Sequence, residues 1–478
     1  VELNKKRDLP IDTITDNLII RGNNLLALHS IKNEFIGKVK LIYIDPPYNT
    51  GNDSFGYNDN FNHSTWLTFM QNRLTIAKKL LRKDGAIFIS IDENEIGYIK
   101  ILLDQIFGIN NQANLITIKR GSATGHKAIN PGVVNITEYV IAFCNNKEEW
   151  KPNRVYQPRL RNERYNNFII NRDKDISKWE FCSLLDAFSS FKKIQKRSLK
   201  KELGSSFEKE IYDFVKKNSS SVIQFAYPDI DKVSKDVKEL IKKSKKEEAK
   251  VFHHKREVES DIYLINGQRL LFYSDRLKEI DGELVTAEPL ADYWGDVLPN
   301  DLHNEGGVKL KKGKKPEKLI KRILEIATNK NDIVLDFHLG SGTTAAVCLK
   351  MNRQFIGIEQ LDYGKNDSVQ RLINTINGKS SGISKSVNWK GGGSFSYLEL
   401  KKYNQSFIDQ IEITKNSKSL LNIWEQMKAK SFLNYNIDIQ KQDEHIEEFK
   451  KLELAQQKQH LVELLDKNQL YVNLSSLN

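Results

Sequence analysis

Residues 332–344 read DIVLDFHLGSGTT and residues 354–359 read QFIGIE. The first stretch is a short apolar run that breaks at Asp336 into a turn built on Gly340 and Gly342. Thr343 to Met351 then spaces as a helix. The second stretch is again apolar and ends on an acid, Glu359. Two glycines allow a tight turn and close approach of the backbone to a ligand. The helix start behind them favours a negative ligand group. An acid ending the next strand accepts hydrogen bonds from ribose hydroxyls in nucleotide-binding α/β units. Together these features point to a nucleoside-containing cofactor. The third glycine of the dinucleotide pattern is replaced by Ala345, which counts against a dinucleotide.

The same α/β rhythm runs through the first 145 residues. NLIIRGN (17–23) reads as a strand and turn, and NLLALHSI as a helix. VKLIYID (39–45) is a continuous apolar run, as in a parallel strand covered on both faces. Residues 64–83 carry Trp66, Phe69, Leu74, Ala77, Leu80 and Leu81 at helical spacing, with Ser64 as N-cap and Gly85 beyond the end. GAIFISID (85–92), LITIKR and YVIAFC (139–144) read as further strands, with a helix near 93–107. From 146 to 307 the alternation stops. That segment is rich in Lys, Asn, Ser and aromatics, with one amphipathic helix near 230–248 showing Val233, Val237, Leu240 and Ile241 on one face. The rhythm returns at Pro316, which suits the first turn of a helix reaching Thr328. From 401 the chain is helical and polar, with apolar stripes in LLNIWEQMKAKSFL and IEEFKKLELAQQKQHLVELL.

The sharpest local feature follows the strand at 39–45, in IYIDPPYNTG. Two prolines forbid continued pairing and hold the chain extended. Their carbonyls are free to face a cleft, Asp45 supplies an acceptor, and Tyr48 a flat aromatic face. That set suits an exocyclic amine on a planar base. Asp45 and the Pro46 carbonyl can accept its two N–H groups, and the ring can stack on Tyr48.

Composition narrows the setting. The formal net charge is +12 over 478 residues, which favours a polyanionic partner. Residues 190–257 hold 19 Lys/Arg against 11 Asp/Glu. A second cluster comprises Lys309, Lys311, Lys312, Lys314, Lys315 and Lys318. The bland reading of any one of these lysines is a solvated helical face. The cysteines, Cys144, Cys182 and Cys348, have no ligand spacing, so no metal site or disulfide framework is expected, and a reducing cytoplasm fits. No apolar run spans a membrane, and the opening residues VELNKKRDLPIDTITDN lack the apolar core of a secretory signal.

The DPPY motif joined to a DFxxGSGTT loop resembles the amino-methyltransferases that act on exocyclic amines of DNA. DPPY precedes the glycine loop, which resembles the β class, in which the segment between the halves recognises the target. The stretches DNLIIRGNNLLALHSI, IDPPYNTGNDSFGYNDNF, DLHNEGGVKLKKGKKPEKLI, WKGGGSFSYLEL and KNQLYVNL are similar to the Mod subunit of type III restriction–modification systems. The resemblance implies a Rossmann-like sheet in circularly permuted motif order and S-adenosyl-L-methionine as cofactor. It implies a methyltransferase domain in two parts, 1–145 and 308–400, around a target-recognition domain at 146–307, with a helical region at 401–478. Asp45, Pro46, Pro47 and Tyr48 become the catalytic residues. Asn23, Asp45, Asp336, Phe337, His338, Gly340, Ser341, Gly342, Thr343 and Glu359 become the cofactor residues. The aspartate of DPPY points to adenine N6, because cytosine N4 enzymes more often carry Ser there. Expected partners are duplex DNA, a second copy of the chain and a helicase-nuclease (Res) subunit.

Two positions depart from the family pattern. His338 stands where Phe is common, leaving the apolar wall to Phe337 or another residue; a loop histidine bonded to backbone is at least as good a reading as a functional one. Asn23 stands where Asp is frequent. Three other readings stay open: a stand-alone adenine N6 or cytosine N4 enzyme, a methyltransferase of RNA or protein amides, and a DNA-specificity scaffold for a nuclease.

Overall fold

The computed structural model describes residues 2–49, 63–122, 132–257, 260–299, 301–309, 313–361, 363–400, 403–430 and 443–465. Lys311, Lys312, the stretch from Thr50 to Asn62, and KNQLYVNL lie outside them. The chain divides into two compact units, Val1–Asn153 with Ala291–Asn478, and Arg154–Leu290.

The first unit is built on a nine-stranded sheet. Its central strands are parallel, in the order Leu81–Ile91, Val39–Ile44, Ile333–Asp336, Gln354–Glu359, Leu18–Arg21. Leu41, Ile42, Ile44, Val334, Leu335, Ile356 and Ile358 are fully enclosed, because helices cover both faces. One face carries the helices Asn24–Phe35, His63–Leu80 and Ile96–Phe107, which share a core with Ile42, Ile44, Leu335 and Phe337. Helices Glu317–Ala327, Thr343–Lys350 and Ser368–Ile376 pack together as a second group. The strand Thr137–Cys144 runs antiparallel beside Leu81–Ile91. Its first residues therefore lie at the carboxyl edge of the parallel strands.

That edge contains the topological switch. From Val39–Ile44 the chain crosses through a helix to Leu81–Ile91 on one side. From Ile333–Asp336 it crosses through Thr343–Lys350 to Gln354–Glu359 on the other. The two neighbouring strands thus send their loops in opposite directions, which opens a crevice where ligands bind in open α/β sheets.

One helix differs from the sequence reading at both ends, since it starts at His63 and so holds Ser64 in its first turn instead of at the N-cap. The helix expected at 64–83 ends at Leu80, and a strand begins at Leu81. Pairing of Leu81 with Val39, across a bulge before Leu41, draws these residues into the sheet. Gly85 lies inside the strand, where a Cβ would stand 3.0 Å from the Val39 and Lys40 carbonyls.

The second unit has a six-stranded antiparallel sheet and a three-stranded one. Its strands are short, which is why the segment shows no α/β rhythm. Phe188, Ile211, Val215, Val222 and Tyr273 centre its core. The amphipathic helix is Lys235–Lys246, with Val237 and Ile241 packed on Ile262 and Leu264 while Lys242, Lys243, Lys245 and Lys246 face solvent. The unit is narrower than residues 146–307 because both flanks are tied into the first unit. Asn153 donates to the Ile326 carbonyl, and Tyr293–Trp294 adds a strand beside Thr117 and Ile118.

Beyond residue 403, helices Tyr403–Ile413, Ser417–Lys430 and Leu454–Leu465 enclose Ile411, Leu420, Trp424, Met427 and Leu461. No helix among the described residues is long and apolar enough to cross a membrane.

Candidate active site

The glycine turn is held from within by the acid that precedes it. Asp336 Oδ1 accepts the His338 N–H at 3.0 Å, and Oδ2 accepts the Thr344 hydroxyl at 2.6 Å. The carboxyl is buried, and that desolvation, only partly offset by the two hydrogen bonds, raises its pKa to about 7. Gly340 and Gly342 both take left-handed backbone, with φ of +55° and +80°. Their surroundings differ. A Cβ on Gly342 would meet Ser368 Cβ at 2.8 Å, whereas a Cβ on Gly340 would meet nothing within 4 Å. Gly342 serves packing, and Gly340 faces open space. Glu359 is buried beside that space. Its Oε2 accepts the Gly340 N–H at 2.7 Å, and Oε1 accepts the N–H groups of Gln360 and Leu361 at 2.9 and 2.8 Å.

Asn23, Phe337 and His338 follow the carboxyl ends of the strands Leu18–Arg21 and Ile333–Asp336. Asn23 Oδ1 caps the helix Asn24–Phe35 by accepting from Leu25 and Leu26, so only its Nδ2 is left for a ligand. Phe337 lies in the core at 1% exposure. Its carbonyl accepts Asn24 Nδ2 at 2.8 Å, and Asn24 Oδ1 in turn accepts the buried Arg73 Nε at 2.6 Å. His338 is buried beside Phe337 and Phe69, with ring centroids 5.2 and 6.0 Å away. Burial, and then Arg73, push its imidazole well below the usual range. A neutral ring thus occupies the place where Phe is common.

Behind the turn lies a buried ionic network. Arg371, 0% exposed, donates to Thr343 Oγ1 at 2.8 Å, Ser341 Oγ at 3.4 Å, Glu317 Oε1 at 2.9 Å and Glu305 Oε1 at 3.4 Å. Glu317 Oε2 also takes Lys350 Nζ at 2.6 Å. Ser341 and Thr343 therefore turn their hydroxyls toward this support.

On the adjacent strand, Asp45 to Tyr48 leave the sheet at the switch point. The Pro47 carbonyl accepts Trp66 Nε1 at 2.8 Å, which anchors the turn. The Pro46 carbonyl takes part in no hydrogen bond among the described residues. Asp45 Oδ1 is buried and likewise accepts no hydrogen bond. Lys315 Nζ stands 3.3 Å from that oxygen, an ion pair without hydrogen-bond geometry. The same ammonium donates to Tyr48 OH at 2.5 Å and to Glu138 Oε2 at 2.9 Å, and lies 4.9 Å from the Tyr48 ring centroid. Desolvation raises the Asp45 pKa, with Lys315 opposing that shift and Glu138 adding to it.

The expected residues thus gather along one edge, the DPPY turn and the glycine loop on neighbouring strands. Lys315 and Glu138 were missed. The solvated reading of the lysine cluster is corrected for two of its members: Lys314 is buried with its ammonium on the carbonyls of His303, Glu305 and Val308, and Lys315 lies in the site. The available signal was Pro316, which stops the helix short and leaves Lys315 extended before it.

The DNA methylase family model matches residues 39–370, from the strand before DPPY to the helix behind the glycine loop, and the chain belongs to that family. Among its relatives, it is 40% identical to the probable type III restriction-modification enzyme HindVI Mod subunit of Haemophilus influenzae, covering 98% of this chain and 65% of that protein. It is 28% identical to the EcoP15I Mod subunit of Escherichia coli, covering 76% of this chain and 61% of that one. The chain spans less than two thirds of the length of these curated relatives.

Proposed function

We propose that this protein transfers a methyl group from S-adenosyl-L-methionine to N6 of an adenine flipped out of duplex DNA, as the modification and recognition subunit of a type III restriction–modification system. The observation that carries this reading is the pair of acceptors at the switch point that accept no hydrogen bond among the described residues, the buried Asp45 Oδ1, paired only as an ion with Lys315 Nζ at 3.3 Å, and the Pro46 carbonyl. A buried acceptor left unsatisfied is costly, and an incoming amine with two N–H groups would relieve it.

The glycine loop fits the cofactor. The space above Gly340 is open, and Glu359, fixed by three backbone N–H groups at the end of the next strand, stands beside it. Gly340, Glu359, Asp336 and the Nδ2 of Asn23 are the groups proposed to hold it. The bound cofactor supplies an electrophilic methyl group. Asp45 and the Pro46 carbonyl accept the amine hydrogens and draw the nitrogen toward a tetrahedral, localised lone pair. Asp45 is then the first acceptor for the proton released. Holding nucleophile and electrophile aligned is worth roughly 7–11 kcal/mol in such reactions.

Extruding a base from the stack costs a few kcal/mol. Stacking on Tyr48 returns about 1–3 kcal/mol. The basic, antiparallel Arg154–Leu290 unit is proposed to read the target, and the helical region beyond 403 to contact a second copy or a Res subunit. The test is Asp45→Ala: methyl transfer to DNA is expected to vanish while cofactor binding persists. A variant that still methylates DNA at the wild-type rate would remove Asp45 from this role.

A further inference from the structure

We propose that Lys315 is a positioning residue for the methyl transfer: its ammonium holds Asp45 as an anion beside a second carboxylate, Glu138, so that the acceptor stands ready before a base arrives. This inference rests on the function proposed above.

Three elements from distant parts of the sequence bring these groups together. Asp45 directly follows the strand Val39–Ile44, Glu138 is the second residue of the antiparallel strand Thr137–Cys144, and Lys315 precedes the helix Glu317–Ala327. The side chains of Asp45, Glu138 and Lys315 are only 18%, 9% and 11% exposed. Lys315 Nζ lies between the carboxylates, 3.3 Å from Asp45 and 2.9 Å from Glu138. Its backbone is fixed separately, because its carbonyl accepts the Thr343 hydroxyl at 3.1 Å. One residue thus ties the glycine helix to the DPPY turn and sets the charge on that turn.

Two enclosed carboxylates cannot both stay ionised without a cation. A protonated Asp45 would lose acceptor strength, and its proton would compete with the amine for the same oxygen. The other groups around Asp45 do not replace Lys315. Tyr48 lies on its own turn, and Tyr43 on its strand is engaged with Ser90 Oγ at 2.8 Å. Asp336, on the neighbouring strand, is an acid whose own pKa is raised to about 7 and supplies no positive charge. Arg120 acts on Lys315 and lowers its proton affinity, against the larger pull of Asp45 and Glu138.

The test is the pH dependence of the single-turnover methylation rate, with DNA KM and cofactor Kd measured alongside. An opposite charge this close shifts a carboxyl by about 1–3 pH units. Lys315→Met should therefore move the acid limb upward by at least about one unit. Its rate should fall roughly 10-fold or more below the new limb and recover above it, with KM and Kd little changed. Glu138→Gln should move the limb the other way, and the double variant should return it toward wild type. Lys315→Arg should keep the wild-type limb. A loss equal at every pH, or a double variant no better than Lys315→Met, overturns the proposal. Infrared titration of the protonated carboxyl band, with Asp45→Asn as the blank, reads the same shift without DNA. If wild type fails to methylate but the band moves with Lys315→Met, the function reading fails while the electrostatic role stands. If Lys315→Met does not fold, the Glu138→Gln and Lys315→Arg limbs decide.

Discussion

Replacing each loop glycine by alanine separates folding from cofactor binding. Both glycines are left-handed, and an L-residue there costs about 1–2 kcal/mol. At Gly340 nothing else is added, because no atom lies within 4 Å of the new methyl. At Gly342 the methyl would stand 2.8 and 2.9 Å from Cβ and Cα of Ser368. Ser368 is the first residue of a helix, so relief requires moving backbone, and overpacking of this kind adds about 1–3 kcal/mol. Gly340→Ala is therefore expected to lose about 1–2 kcal/mol and Gly342→Ala about 2–5 kcal/mol. In thermal unfolding the first corresponds to a Tm drop of roughly 1–3 °C. Calorimetric titration with S-adenosylmethionine should rank the binding effect in the opposite way to stability. Gly340→Ala folds, yet it puts a methyl group into the space assigned to the cofactor and should weaken binding at least about 10-fold, equivalent to about 1.4 kcal/mol. Wild-type affinity in Gly340→Ala would refute the placement. A Gly340 variant less stable than the Gly342 variant would refute the packing argument.

Arg371→Met should destabilise by about 3–5 kcal/mol, since it strands Glu305 and Glu317 in a buried network; a Tm within about 2 °C of wild type would contradict this. Asp336 is an acid whose folded-state pKa is raised from 3.8 to about 7. Its contribution to stability is thus complete below about pH 4 and lost as pH rises through about 7. The loss amounts to about 4 kcal/mol at most, at about 1.4 kcal/mol per unit. Asp336→Asn should flatten that part of the stability–pH curve in chemical denaturation, and an unchanged slope would count against it. Glu359→Ala should lower cofactor affinity, which equilibrium binding will read; equal affinity would remove Glu359 from the cofactor site.

Much of this was legible because parallel strands buried on both faces announce themselves as apolar runs. Val39–Ile44, Ile333–Asp336 and Gln354–Glu359 are three such runs, each ending in or directly followed by an acid, Asp45, Asp336 and Glu359, that the sheet delivers to one edge. Lys315 was hidden by its neighbours, since KKGKKPEK reads as a solvated lysine run and only the fold shows two of its members enclosed. Glu138 was hidden because an antiparallel strand brings its first residues, not its last, to the site. Arg371 and Glu317 are charged residues on amphipathic helices, where solvent is the default partner; their pairing depends on how those helices pack. The end of the helix at Leu80 was misplaced because sheet pairing at Leu81 outweighs helical spacing in LLRK.

The central claim is transfer to adenine N6 at the DPPY turn. The most direct measurement is incubation of the purified protein with duplex DNA and S-adenosylmethionine labelled in its methyl group, followed by nucleoside analysis of the digested DNA. The account predicts label in N6-methyladenine with the wild-type chain and none with Asp45→Ala. Label in N4-methylcytosine, or in RNA in preference to DNA, would contradict it.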